Sequence, residues 1–270
     1  MQAHFRPTFR KQFSGTPTQK DDCGPVATRH ALSRWSLGAR DLPIASVRKM
    51  MSLPKGQASI GDQAEVFSKL GAHVPVFTRF SHFSIGDLRA HLASGGFAIG
   101  LGDYEKVPPG LKGDQEFNGN HFVFLNELDP ALPGAAAAVE GVLVYDGLDD
   151  GRIDAPSKSQ RAPRGPIVWP FAVLEGYLVN LSNLVDADIT VAVFPRRRVR
   201  RRDQDAVNVR PTPSTAKPPI GKWLSGELEH AGTVIGDPVS GDRRWFRVWW
   251  PEDSAVAFVH ASVVFESTTP

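Results

Sequence analysis

One stretch of the sequence, from Asp21 to Thr28, combines residue types that favour a reactive thiol. It contains Cys23, the only cysteine among 270 residues, so an internal disulfide and a multi-thiolate zinc site are both excluded. Pro25 suits the first turn of a helix, and apolar residues follow it at helical spacing. The thiol would then lie at a helix N-terminus, where the helix dipole and free N–H groups favour the thiolate. A lone cysteine can also be a small buried filler, but this position favours a nucleophile.

Two later segments carry residues that could complete a nucleophilic site with Cys23. The segment from Asn118 to Leu125 places His121 at the start of an apolar strand. The segment from Val142 to Leu148 is a second apolar strand that ends at Asp146. Histidine can remove the proton of a thiol, and a carboxylate can orient the imidazole ring. The alternatives are an ordinary polar residue at a strand end for the histidine and an aspartate-glycine turn for the acid.

Together with Asp22–Pro25, these two segments resemble the catalytic segments of papain-like cysteine peptidases of the C39-like, bacteriocin-processing group. The resemblance covers about residues 10 to 195 and keeps the order Cys, His, Asp along the chain. It implies a papain-like fold without a cofactor or a metal ion. It also implies that Cys23 is the nucleophile, that His121 is its general base and that Asp146 orients the imidazole.

The same resemblance implies an oxyanion hole made by the backbone N–H of Cys23 and an upstream side-chain amide. Gln19 is the first candidate for this amide, although the family leaves a longer gap before the cysteine. Gln12 is the second candidate. We therefore list Gln19 with the three catalytic residues and keep Gln12 as the alternative.

The order of predicted elements indicates the α+β class, with helices first and an antiparallel sheet after them. A capping box at Ser84 and Asp87 marks one helix start. The predicted helices are 24–36, 43–52, 62–70 and 85–93. The predicted strands are 74–80, 97–101, 121–125, 142–146 and 189–194. A strand end and a short helix follow at 169–174, and an alanine-rich insertion is predicted at 130–138.

The net charge of +2 hides a basic run at residues 196–202, which contains six arginines. Such a run could bind nucleic acid or an anionic polymer, but it has no interleaved aromatic residue, so nucleic-acid binding is the weaker interpretation. We interpret the run as a linker. The predicted organisation is a papain-like peptidase domain at 1–195, a basic linker at 196–205 and an SH3-like domain at 206–270.

The last part of the chain reads as five short strands separated by turns, which predicts a small all-β barrel. The segments Asn208–Arg210, Trp245–Val248 and Ala257–Val259 resemble the beginning, middle and end of bacterial SH3-type domains. That resemblance implies binding to cell-wall peptides. The chain departs from the family pattern in lacking a Gly-Pro after Arg210. The alternative is an appendage that only packs on the peptidase domain.

The N-terminal residues 1–19 have no apolar run, so we expect no secretory signal peptide. No stretch of about eighteen apolar residues occurs, so we expect no transmembrane helix. A hydrolase joined to a wall-binding module without an export signal is typical of a bacteriophage lysin or a virion-associated enzyme. The expected location is the host cytoplasm before release, or the phage virion.

These observations predict a cysteine peptidase or amidase that hydrolyses peptide bonds in bacterial peptidoglycan. Phage virion proteins are further expected partners. One alternative is a phage tail or adhesion protein that uses a peptidase-like fold for binding, with little turnover. Another alternative is an intracellular processing peptidase. The intact set of cysteine, histidine and aspartate favours the enzyme.

Overall fold

The computed structural model describes residues 4–12, 15–70, 78–79, 84–114, 116–129, 140–148, 165–179, 190–194, 197–203 and 205–267. Over these residues the chain has the predicted α+β character, with helices and antiparallel sheets. It divides into two compact units. The larger unit consists of Thr8–Leu32 and Asp41–Pro195, and the smaller unit consists of Met1–Pro7, Ser33–Arg40 and Arg196–Pro270.

The helices begin close to the capping residues that the sequence places before them. Ser59 and Asp62 form one capping box, and Ser84 and Asp87 form another, as predicted for the second pair. None of the helices in the described part of the chain is long and apolar enough to cross a membrane. The helices are α1 (Cys23–Trp35), α2 (Ile44–Met50), α3 (Ile60–Ser68), α4 (Ile85–Ala93) and α5 (Phe171–Val179).

The larger unit contains a six-stranded antiparallel sheet with the strand order β1-β6-β2-β3-β4-β5. All six residues of β4 are buried, so this strand lies in the core. Leu88 and Leu92 of α4 and Leu174 and Leu178 of α5 pack in the same hydrophobic cluster as this strand. The strands are β1 (Thr78–Arg79), β2 (Phe97–Asp103), β3 (Asn120–Asp129), β4 (Gly141–Asp146), β5 (Ile167–Pro170) and β6 (Thr190–Phe194).

Two predicted segments of the larger unit fall largely outside the described residues. The insertion predicted at 130–138 lies wholly outside them. Of the strand predicted at 74–80, only Thr78–Arg79 is described, and these residues pair with β6.

The smaller unit is built from short antiparallel strands. Five of them form a sheet with the order β12-β11-β10-β7-β13, and β8 pairs with β9. Val199, Trp223, Val248 and Val259 belong to its buried cluster. The strands are β7 (Arg198–Arg201), β8 (Val207–Val209), β9 (Gly221–Trp223), β10 (Leu228–Val239), β11 (Asp242–Trp250), β12 (Ala255–His260) and β13 (Val264–Ser267).

The arginine run predicted as a linker instead contains β7, which lies between β10 and β13 in the five-stranded sheet. Val199 is completely buried within this strand, because alternation along a strand sends every second side chain into the core. Arg198 and Arg200 both form ion pairs with Glu227. The interpretation as a linker was based on the charge of the run and gave no weight to Val199, its single apolar residue.

The boundary predicted after residue 195 differs from the observed one, because two N-terminal segments belong to the smaller unit. The guanidinium of Arg34, 0 % exposed, pairs with the carboxylate of Glu229, 5 % exposed. The rings of Phe5 and Trp249 pack in a T-shaped arrangement with 5.5 Å between their centroids. Long-range pairs of this kind have no local signal in the sequence.

Candidate active site

The candidate nucleophile directly follows a turn that is held by several hydrogen bonds. Cys23 is the first residue of α1 and is partly exposed. The preceding residue, Asp22, is fully buried, and its carboxylate accepts a hydrogen bond from Nε of Arg48 at 2.6 Å. It also accepts bonds from the hydroxyls of Thr16 and Thr18 at 3.0 and 3.3 Å. These contacts fix the turn that delivers the thiol to the helix N-terminus.

His121 and Asp146 lie on neighbouring strands of the six-stranded sheet. The register of β3 and β4 places Val123 opposite Asp146, so His121 is two residues along the same face. Nε2 of His121 lies 2.9 Å from Oδ1 of Asp146. Both side chains are 1 % exposed, so their interaction is shielded from water.

Cys23, His121 and Asp146 form a continuous hydrogen-bonded chain. The thiol of Cys23 hydrogen-bonds to the imidazole of His121. Since Nε2 of the ring contacts Asp146, Nδ1 is left for the sulfur. The structure therefore brings together the three residues that the sequence selected, in the order needed for a thiolate, a base and an orienting acid.

The electrostatics of this chain favour a thiolate beside an imidazolium. Burial raises the pKa of the Cys23 thiol, but the hydrogen bond and charge of His121, together with the N–H groups of Phe122 and Gly24, outweigh burial and lower this pKa. Burial lowers the pKa of His121, but its contacts with Asp146 and Cys23 raise it to about 9. Both shifts favour the charged pair near neutral pH.

Tyr104 holds the acid of the chain. Its hydroxyl donates a hydrogen bond to Oδ2 of Asp146 and accepts one from the N–H of Gly113 at 2.7 Å. The N–H groups of Gly113 and Leu148 also donate to the carboxylate, at 3.2 and 2.9 Å. Burial raises the pKa of Asp146, but these donors and His121 outweigh it, so the carboxyl stays ionised. Burial and the nearby carboxylate raise the pKa of Tyr104, which keeps its hydroxyl a donor.

Tyr177, on α5, holds the backbone of the base. Its hydroxyl donates to the carbonyl of His121, and Gly102 pairs with His121 across the sheet. A β-carbon at Gly102 would lie 2.4 Å from the carbonyl oxygen of Tyr177, so the glycine lets α5 approach the strand. Sequence reasoning missed Tyr104 and Tyr177. The only feature of the sequence that could have drawn attention to them is that tyrosine is rare in this chain, which has three.

The two glutamines proposed for the oxyanion hole lie in the segment before Cys23. Oε1 of Gln19 accepts a hydrogen bond from the N–H of Gly15 at 3.0 Å. Nε2 of Gln12 donates to the carbonyls of Gln19 and Lys20 at 2.9 and 3.2 Å. Among the described contacts, neither amide meets the thiol or the imidazole. The role of Gln19 in an oxyanion hole stays a prediction, while Gln12 secures the turn in front of the nucleophile.

A buried amide lies beside the residue after the nucleophile. A β-carbon at Gly24 would lie 2.8 Å from Cβ of Ala58 and 3.2 Å from Nε2 of Gln63. Gln63 is 0 % exposed, and neither atom of its amide has a hydrogen-bond partner within the described part of the chain. A buried polar group without a partner costs about 1 to 3 kcal/mol. Sequence reasoning missed Gln63, since no motif marks it.

Comparison with known proteins found no match from which a function could be inferred. No protein-family model matches the chain, and no curated protein is significantly similar to it in sequence. In the described residues, no group of three or more His, Cys, Asp and Glu side chains is arranged to hold a metal ion. The hydrogen-bonded chain of Cys23, His121 and Asp146 is therefore the observation from which a function is inferred.

Proposed function

We propose that the protein is a thiol-dependent peptidase or amidase that hydrolyses peptide bonds, with bacterial peptidoglycan as its substrate. The observation that carries the proposal is the chain of hydrogen bonds from Cys23 through His121 to Asp146, with the thiol pKa lowered and the imidazole pKa raised to about 9. A cysteine kept only for packing needs neither an imidazole partner nor a helix N-terminus.

In the proposed reaction, the Cys23 thiolate attacks the carbonyl carbon of the scissile bond and forms a tetrahedral intermediate. The backbone N–H of Cys23 donates to the oxyanion. The His121 imidazolium then gives its proton to the leaving amine, and a thioester remains. His121 next removes a proton from water, the hydroxide attacks the thioester, and the proton returns to the leaving sulfur. Asp146 keeps the ring oriented throughout and stabilises its positive charge.

Peptidoglycan is proposed as the substrate because of the second unit. The segments Asn208–Arg210, Trp245–Val248 and Ala257–Val259, which resemble bacterial SH3-type domains, lie on or beside β8, β11 and β12. In this proposal the smaller unit binds cell-wall peptides and raises the local concentration of the enzyme. The proposed setting is a bacteriophage lysin or an enzyme carried in the virion.

The proposal is tested by incubating purified protein with isolated cell walls and identifying new amino and carboxyl ends by mass spectrometry. The wild-type chain should release fragments with one type of new end. Cys23→Ala should release none while keeping the same thermal unfolding curve, because alanine removes the thiol with little change in volume. Equal release by the two proteins, or no release by either, would contradict the proposal.

A further inference from the structure

A second feature of the larger unit lies next to the nucleophile turn. It is a cavity of about 590 Å³ between the loop before that turn, helix α2 and the loop that follows α2. Pro17, Ala45, Leu53 and Pro54 supply apolar walls. A cavity of this size is in the usual range for small-molecule and peptide side-chain sites.

A residue of the cavity wall is hydrogen-bonded directly to the turn that precedes Cys23. Arg48, in the wall, donates to the carboxylate of Asp22 at 2.6 Å and to the carbonyl of Asp21 at 2.9 Å. It also donates to the carbonyl of Leu53, another residue of the lining, at 3.2 Å. A group that enters the cavity therefore lies beside Arg48, whose guanidinium fixes the residue before the thiol.

The positive charge of the cavity lining favours a ligand that carries a negative charge. Lys49 and Lys55 line the cavity, both are exposed, and neither forms an ion pair with a residue that the structure describes. Among the residues that the structure describes, no Asp or Glu belongs to the lining. Apolar walls together with two exposed lysines complement an apolar side chain that stands next to a carboxylate.

We infer that this cavity is a substrate subsite, which takes an apolar side chain with a neighbouring carboxylate from an acidic peptide. The inference rests on the proposed peptidase activity and adds a substrate class to it. The apolar side chain lies between Ala45 and Leu53, and the carboxylate faces Lys49 and Lys55. Substrate bound in this way is held against the turn that presents Cys23.

The test uses the full chain and two probes, N-acetyl-Leu-Leu with a free carboxylate and the same peptide with a C-terminal amide. Binding is measured by NMR chemical shifts, which need no turnover. The carboxylate probe should bind more tightly than the amide, by up to about fivefold for each lysine. Lys49→Gln combined with Lys55→Gln should remove this difference, and Lys222→Gln, an exposed lysine of the smaller unit, should not.

A second pair of variants tests the cavity itself. Ala45→Trp fills the cavity from an exposed helical position and should weaken both probes at least about tenfold, since the indole occupies the space that the leucine side chain needs. Ala90→Trp, at an exposed position of α4 outside the lining, is the control and should leave binding unchanged. Thermal unfolding checks that both variants are folded.

The position of the subsite beside the nucleophile is tested by alkylation of Cys23 with iodoacetamide. A saturating carboxylate probe should slow alkylation several-fold in the wild type and should have no effect in Ala45→Trp. Unchanged affinity in Ala45→Trp, equal affinity for the two probes, or alkylation that ignores the bound probe would each overturn the inference. A chain that binds the probe as described but releases no fragments from cell walls would support the subsite and contradict the proposed hydrolysis.

Discussion

Replacing Asp146 by asparagine tests the electrostatic argument most directly. The carboxylate accepts hydrogen bonds from four donors, namely Nε2 of His121, the hydroxyl of Tyr104 and the N–H groups of Gly113 and Leu148. Asparagine keeps the shape of the side chain but replaces one acceptor oxygen by an NH₂ donor. Whichever way the amide points, this NH₂ faces one of the two backbone N–H groups.

The structure sets the size of both expected effects. One buried N–H left without an acceptor should lower the free energy of unfolding by about 1 to 3 kcal/mol. The neutral amide also removes the charge that stabilises the imidazolium, while burial continues to lower the pKa of His121. A fall of this pKa from about 9 to the ordinary 6.5 corresponds to about 3 to 4 kcal/mol, which is a factor of about 300 in the equilibrium constant for protonation of the imidazole.

The assay is the rate of alkylation by iodoacetamide as a function of pH, read by mass spectrometry. The signal is unambiguous because Cys23 is the only cysteine. In the wild type the thiolate should form below the ordinary thiol pKa. In Asp146→Asn the imidazolium is lost, burial dominates, and the thiol pKa should rise, so that alkylation at pH 7 should be slower by up to about 300-fold.

The same shifts set the pH dependence of turnover. Activity should rise with pH as the Cys23 thiol ionises, and it should fall as pH passes about 9 because His121 loses the proton that the leaving amine needs. In Asp146→Asn the basic limb should move to lower pH. Asp253→Asn, an exposed turn residue, is the matched control. Identical alkylation profiles for wild type and Asp146→Asn would refute the reasoning.

Three further substitutions test individual contacts, two of them around the site and one inside the smaller unit. Tyr104→Phe removes a donor to the triad carboxylate and should cost about 1.5 to 3 kcal/mol in urea unfolding, with slower alkylation; unchanged values would contradict its role. Gly24→Ala would place a methyl 2.8 Å from another β-carbon and should cost about 1 to 3 kcal/mol, whereas Gly176→Ala, with open space around it, should not destabilise the chain. Arg34→Leu removes the guanidinium partner of buried Glu229 and should cost about 3 to 5 kcal/mol; replacing both residues by leucine should recover most of this loss, measured by thermal unfolding.

Much of the helical part of the fold was predictable because its signals are local. The capping box of Ser84 and Asp87 lies within four residues, and α4 has the predicted bounds. α1 begins at Cys23, one residue before the predicted start, since Pro25 marks the first turn. The strands that carry His121 and Asp146 were predicted from runs of branched and aromatic residues, and both are present.

The parts that were not predicted depend on contacts between distant residues. β7 was read as a linker because its arginines outnumber its one buried valine, and only pairing with β10 and β13 reveals a strand. Tyr104 meets an aspartate 42 positions later, and Tyr177 meets a histidine 56 positions earlier. Gln63 meets Gly24 only because α3 packs near the start of α1. No spacing rule connects such pairs.

Each member of the candidate chain is held by a residue that takes no part in the proposed chemistry. Arg48 holds the turn of the nucleophile, Tyr177 holds the backbone of the base, and Tyr104 holds the acid. These three supports come from α2, α5 and the residues directly after β2. An ion pair between thiolate and imidazolium gains most when the groups are fixed before substrate binds, because no reorganisation is then needed during the reaction. Replacing Arg48 or Tyr177 should therefore change the rate of the thiol reaction more than its pH dependence. Replacing Tyr104 should change both, since its hydroxyl contacts the charged carboxylate.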